Sequence, residues 1–341
     1  MGGKRRKIDA ALTPAETTLG KWAKEASIVL EEVGWTELVR RARGTSQLTE
    51  SVKGIPHKAG RLLDHLRQQG AAVPMRTAPW TQDQVVAAIK RGCHKSAREH
   101  TEFVCEELVD FCRQGYWTVL PLEAVLDWPN LRLSPLGVVP QRERRPRLIV
   151  DYTFSGVNHD TVRLAPKEAM QFGRALQRVL TQIVHANPRY GPPKLAKIDI
   201  ADGFYRVWIR IRDIPKLGVL LPRSDGGPEL VAFPLALPMG WVESPPYFTT
   251  LTETACDLAN QAMRQGSHRT QPHHLEAVAS TPPPRPDIDD ATAPTATAIG
   301  DVAHTLVVRL AKARGRIKTH TLAPRSAHQW PSPTYMWTTS S

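Results

Sequence analysis

Cysteine is scarce, and what there is falls at irregular intervals. The four thiols, Cys93, Cys105, Cys112 and Cys256, make no disulfide framework. Cys93, His94, His100, Cys105 and Cys112 lie close together in the chain, but no Cys-x2-Cys pair is among them. Phe103, Val104, Leu108 and Phe111 set Cys112 on the apolar face of a helix, so core cysteines fit better than zinc ligands. Long apolar runs are also missing. Leu230 to Trp241 is about a dozen residues and holds two prolines, short of the ~20 that span a bilayer, so no transmembrane helix is expected. Met-Gly-Gly-Lys-Arg-Arg-Lys at the start has no apolar run behind it, which excludes a secretory signal. The expectation is a reduced intracellular protein, cytoplasmic or nuclear.

Acidic residues are outnumbered: 33 Asp plus Glu stand against 45 Lys plus Arg, for a formal charge of +12. That balance favours polyanionic partners through counterion release, with nucleic acid first. The Lys4 to Lys7 cluster is a candidate import or nucleic-acid patch, although short basic runs are more often simply solvated. At 41% hydrophobic residues the chain can bury a core.

Periodicity divides the chain into four stretches. Residues 1–54 carry a helical pattern (Trp22, Ile28, Val29, Leu38, Val39) and read as an accessory segment. Residues 55–160 hold a helix around Leu62, Leu63 and Leu66 and a helix start at Pro79-Trp80-Thr81. A longer helix runs over 95–113, and strands follow at Thr118 to Leu120, Gly137 to Val139 and Arg147 to Tyr152. Residues 161–265 hold an amphipathic helix from Gln171 to Ala186, a strand from Leu195 to Ile200 and a helix from Thr249 to Asn260. Residues 266–341 turn Pro/Ala/Thr-rich and read as linker or disorder. Helices and strands mix without a βαβ rhythm or an internal repeat, which predicts an α+β fold.

Three segments carry chemistry. Lys194 to Arg206 places Asp199 at the end of an apolar strand, where burial makes a carboxylate costly unless it is paired, hydrogen-bonded or on a metal. It reads either as a strand-end cap or as a metal ligand. Phe233 to Phe248 is a turn leading into a helix, and Arg144 to Tyr152 with Asn158 sets a basic cluster on a strand.

In this order the three segments resemble the reverse transcriptases of gypsy-like long-terminal-repeat retrotransposons, over roughly residues 55 to 280. Arg147 to Tyr152 matches a basic finger strand ending in Asp-Tyr. Asp199, Asp202, Gly203 and Phe204 match the metal-binding segment, and Leu237 to Pro245 match the template segment Leu-Pro-x-Gly-Trp-x-x-Ser-Pro.

The resemblance implies the fingers and palm of a right-hand polymerase, the palm an antiparallel sheet backed by helices. It implies an RNA or DNA template-primer as partner, dNTPs as substrate and two Mg²⁺ ions as cofactor. Asp199 would be the catalytic ligand to both ions, with the Ile200 carbonyl completing the shell of one. Arg147 would clamp the triphosphate from the fingers, with the Asp202 and Gly203 amides facing it. Phe204 would gate against a 2′-hydroxyl, and Met239 and Gly240 would pack on the nucleotide and templating base. Asp199 and Arg147 would face one another across a cleft floored by Gly240.

The chain departs from that pattern in one respect. The Tyr-x-Asp-Asp hairpin such enzymes carry after the Ser-Pro segment is absent. Ile288-Asp289-Asp290 follows a proline run and has no strand to hold it. One Asp does not balance two cations, so the chain as written is expected to polymerise poorly or not at all. The codons of Thr334 to Ser340, read from the third base, force Val-Asp and permit Val-Tyr-Val-Asp-Asp-Phe. A frameshift upstream would account for the lost motif, and would make the basic run Arg309 to Lys318 an accident of frame.

Overall fold

The structure, a computed structural model, describes residues 12–44, 54–163, 175–223, 227–265 and 337–339. By contact the chain divides into two compact units, Met1–Met170 with Asp202–Leu251, and Gln171–Ala201 with Thr252–Ser341. The fold is mixed α+β, as the element pattern predicts.

The first unit begins with helix α1 (Pro14–Ala42), whose Thr13 and Glu16 form a reciprocal capping box, and which is kinked at Gly34. Helices α2 (Gly60–Gln69) and α3 (Gln82–Arg91) follow, the latter opened by a second capping box at Thr81 and Gln84. The expected helix over 95–113 is instead two, α4 (Lys95–Glu99) and α5 (Thr101–Arg113). His100 leaves helical geometry at φ −124°, ψ 38° and breaks the rod.

The strands are β1 (Trp117–Pro121), β2 (Leu133–Ser134), β3 (Leu136–Gln141) and β4 (Arg144–Val150), followed by the short helix α6 (Val157–Asp160). The second unit contributes α7 (Ala175–Val184) and β5 (Ala196–Ile198), and the first resumes with β6 (Gly218–Leu220) and β7 (Leu230–Pro234). Helix α8 (Ser244–Gln265) runs from the first unit into the second, and β8 (Trp337–Thr339) pairs in parallel with β5.

One sheet of the first unit has the strand order β1-β7-β6-β2, and β3 and β4 form a separate antiparallel hairpin. β7 sits between β1 and β6 and is buried on both faces from Val231 to Pro234. A fully buried strand reads as a continuous apolar run rather than an alternation. That is why Leu230 to Trp241 gives no strand signal in sequence.

Helix α1 is part of this core. Leu19, Ala23, Leu38 and Val39 are buried, and the Trp35 ring packs against Trp128 (4.8 Å) and Phe233 (5.7 Å). The Trp35 indole donates to the Ile211 carbonyl at 3.1 Å, and the Arg43 guanidinium donates to the Ile209 carbonyl. Each fully buried large apolar side chain contributes about 1.5–3 kcal/mol.

Arg132 is 1% exposed and is held by Asp160 (2.5 Å), Thr77 (2.7 Å) and the Ala78 carbonyl (3.0 Å), with Trp80 beneath its guanidinium. Burial pushes the Asp160 carboxyl up, but hydrogen bonds from Arg132, Thr77 and His159 outweigh it and hold the group below the usual carboxylate range. Cys93 and Cys105 are buried in the core, and burial pushes the Cys105 and Cys112 thiols up to about 12.

The N-terminal basic cluster, Ile288 to Asp290 and the run Arg309 to Lys318 lie outside the described residues. So does the 266–341 stretch, except for Trp337–Thr339, which form a strand. Among the described residues no helix is long and apolar enough to cross a membrane.

Candidate nucleic-acid interface

β4 supplies the first part of the site. Arg147 and Ile149 alternate with Leu148 and Val150, so the two share one face of the strand, and that face is exposed; a bulge opposite Val139 to Gln141 interrupts the alternation before Arg144. The antiparallel register sets Val139 opposite Arg147 and Gly137 opposite Ile149. Arg145 is taken up by Glu107 (2.8 Å) and Glu106 (3.6 Å) and lies over the Phe103 ring. The guanidinium groups of Arg142, Arg144 and Arg147 make no ion pair or hydrogen bond among the described residues. They remain available to an anion.

Tyr152 is fully buried just past the strand, and its hydroxyl donates to the Leu217 carbonyl at 3.2 Å, which fixes the end of the hairpin against the neighbouring sheet. Burial pushes that hydroxyl well up.

The turn before α8 supplies the second part. Gly240 has φ +91°, and a Cβ placed there would come within 2.6 Å of the Val150 carbonyl oxygen. Only glycine allows the loop this close to the end of β4. Asn158 completes the join: its side-chain amide donates to the Gly240 carbonyl (2.9 Å) and its oxygen accepts from the Val242 amide (2.9 Å). Trp241 is buried with its indole donating to Thr161 at 3.2 Å, and the Ser244 hydroxyl donates to the Pro238 carbonyl at 2.6 Å. Met239, at the tip, is 49% exposed.

The Asp202-Gly203-Phe204 turn is the third part, and it rests on the same stretch. A Cβ at Gly203 would meet the Phe248 ring at 2.7 Å, and Phe204 packs edge-on to Phe248 at 5.4 Å. Asp202 sits in left-handed geometry at φ +54°. Burial pushes the Tyr116 hydroxyl up, and the charge of the nearby Asp202 carboxylate adds to the shift.

Asp199 and Ile200 belong to the second unit, just past β5, and both are exposed. The expectation that strand neighbours bury Asp199 is therefore corrected: β5 stops at Ile198, and the carboxylate stands in solvent, where it needs no partner.

Among the described residues no three His, Cys, Asp or Glu side chains are grouped to hold a metal. Asp199 lies in the second unit and Asp202 in the first, and both are exposed.

Sequence spacing singles out Asn158 only as part of a motif, and its two bonds to the Gly240 loop become visible only in three dimensions. Arg91, His94 and Phe154 gather beside the hairpin, and nothing in their spacing brings them together: His94 and Asp151, 3.1 Å apart, are 57 positions apart in the chain.

Compared with known proteins, the chain matches no protein-family model, and no curated protein matches it.

Proposed function

We propose that the chain is a polymerase-like fingers and palm element of the kind retroelement reverse transcriptases carry, and that it binds a template-primer without completing the catalytic centre. The observation that supports this reading is convergence. Three segments that resemble one family in their order also meet on one stretch, Leu237 to Phe248. The end of β4 touches it at Gly240, and the Asp202–Phe204 turn touches it at Phe248. Arg147 lies three residues along an extended strand from Val150, roughly 10 Å away.

Template-directed addition of dNTPs to a primer 3′-hydroxyl is the activity the resemblance implies. The non-catalytic form of it is favoured by the exposure of Asp199 and by the missing Tyr-x-Asp-Asp sequence after the Ser-Pro segment. The test is a primed template incubated with Mg²⁺ and dNTPs, alongside a binding titration with the same template-primer. Binding without incorporation above background is the expected result. Incorporation abolished by Asp199→Ala would show an intact centre, and failure to bind any nucleic acid would remove the polymerase reading altogether.

A further inference from the structure

Among aromatic residues with described side chains, Phe154 is the exposed one, at 52%; the others are buried or half-buried. Leaving a phenyl ring in water forfeits about 1.5–3 kcal/mol of burial, and this ring does not hang from a loose loop. Its backbone amide donates to the Asp151 carboxylate at 2.8 Å, and Gly156 N–H closes the turn onto the Thr153 carbonyl at 3.1 Å. The Arg91 guanidinium lies over the ring at 5.1 Å. The His94 imidazole makes an edge contact at 5.0 Å, and its Nε2 is fixed by the other Asp151 oxygen at 3.1 Å.

This cluster adjoins the strand face that carries Arg147. Gly137 is paired with Ile149, and a Cβ at Gly137 would point at the His94 ring, 3.4 Å away. Strand alternation puts Gly137 and Val139 on one face, with Ile149 and Arg147 opposite them, so His94 stands over the same face as the free Arg147 guanidinium. Arg91 is exposed at the ring, and the neighbouring carboxylate, Asp151, is occupied by His94 and the Phe154 amide. A rigid exposed ring flanked by a guanidinium and an imidazole, next to Arg147, whose guanidinium has no partner among the described residues, has the chemistry of a base-stacking platform.

We propose that Phe154, with Arg91 and His94, stacks an unpaired nucleobase of a single-stranded DNA or RNA whose backbone runs past Arg147. This inference rests on the nucleic-acid reading above and adds the preference for a single strand. Every base has a π-face, so the platform is sequence-tolerant.

The test is fluorescence polarisation of the full chain with labelled single-stranded DNA, single-stranded RNA and blunt duplex DNA. Phe154→Leu, which keeps an apolar side chain but removes the π-face, is compared with Phe154→Trp. Leucine should weaken binding to at least one single strand by about fivefold or more, the size of one base–aromatic stack, while tryptophan restores it and duplex binding stays within about twofold. The arm that responds names the strand. If the leucine variant binds single strands as the parent does, or loses duplex and single strand equally, the platform is refuted while the parent's binding leaves the broader reading standing. A parent chain that binds no nucleic acid refutes both.

Discussion

The guanidinium of Arg132 is enclosed by Asp160, Thr77 and Ala78, whereas that of Arg147, on the β3–β4 hairpin, stands exposed with no partner among the described residues. Both carry the same charge, and the surroundings decide what it does. Inside, the charge is held by oxygens that belong to the fold, so removing it leaves Asp160 without its counter-charge. Outside, with no partner among the described residues, it contributes almost nothing to folding and is exposed to solvent. A net charge of +12 therefore says little about function until the engaged cations are separated from the free ones.

The largest effect that sharpens this contrast is Arg132→Leu, expected to cost about 3–5 kcal/mol in urea unfolding because one member of a buried pair is lost. Gly240→Ala comes next. Its positive φ and the 2.6 Å approach to Val150 predict a loss of roughly 1–3 kcal/mol, together with weaker template-primer binding as the loop leaves β4. A smaller effect is pH-dependent. The Asp160 carboxyl is held below its ordinary value, so its contribution to stability is complete above the usual carboxylate range and is lost as pH falls through the lowered pKa. Urea midpoints compared between neutral and acidic pH should show this component in the parent and not in Arg132→Leu. The smallest is Arg147→Ala, expected to change stability by no more than about 0.5 kcal/mol.

The elements with local signals are legible in the sequence. The Pro79-Trp80-Thr81 start announces α3, and the short apolar runs Gly137 to Val139 and Arg147 to Tyr152 announce β3 and β4. β2 and β6 are too short to show a period, and the break at His100 carries no glycine or proline to announce it. For the site, the glycine turn at Gly240 and the basic strand at Arg147 are legible locally, but not the contact that joins the ends of the two. The burial of Asp199 is misjudged because its apolar neighbours resemble a longer strand than the Ala196–Ile198 that forms. Pairings such as Arg132 with Asp160, Asn158 with Gly240 and His94 with Asp151 join residues far apart in the chain, and no local pattern records them.

The central claim is that the free arginine face of β4 binds the phosphates of a nucleic acid. Binding of a template-primer, followed across a range of salt concentrations for the parent and for Arg147→Ala, tests it most directly. The account predicts weaker binding and a log–log salt slope reduced by about 1, the signature of one lost phosphate contact. An unchanged affinity and slope would contradict it.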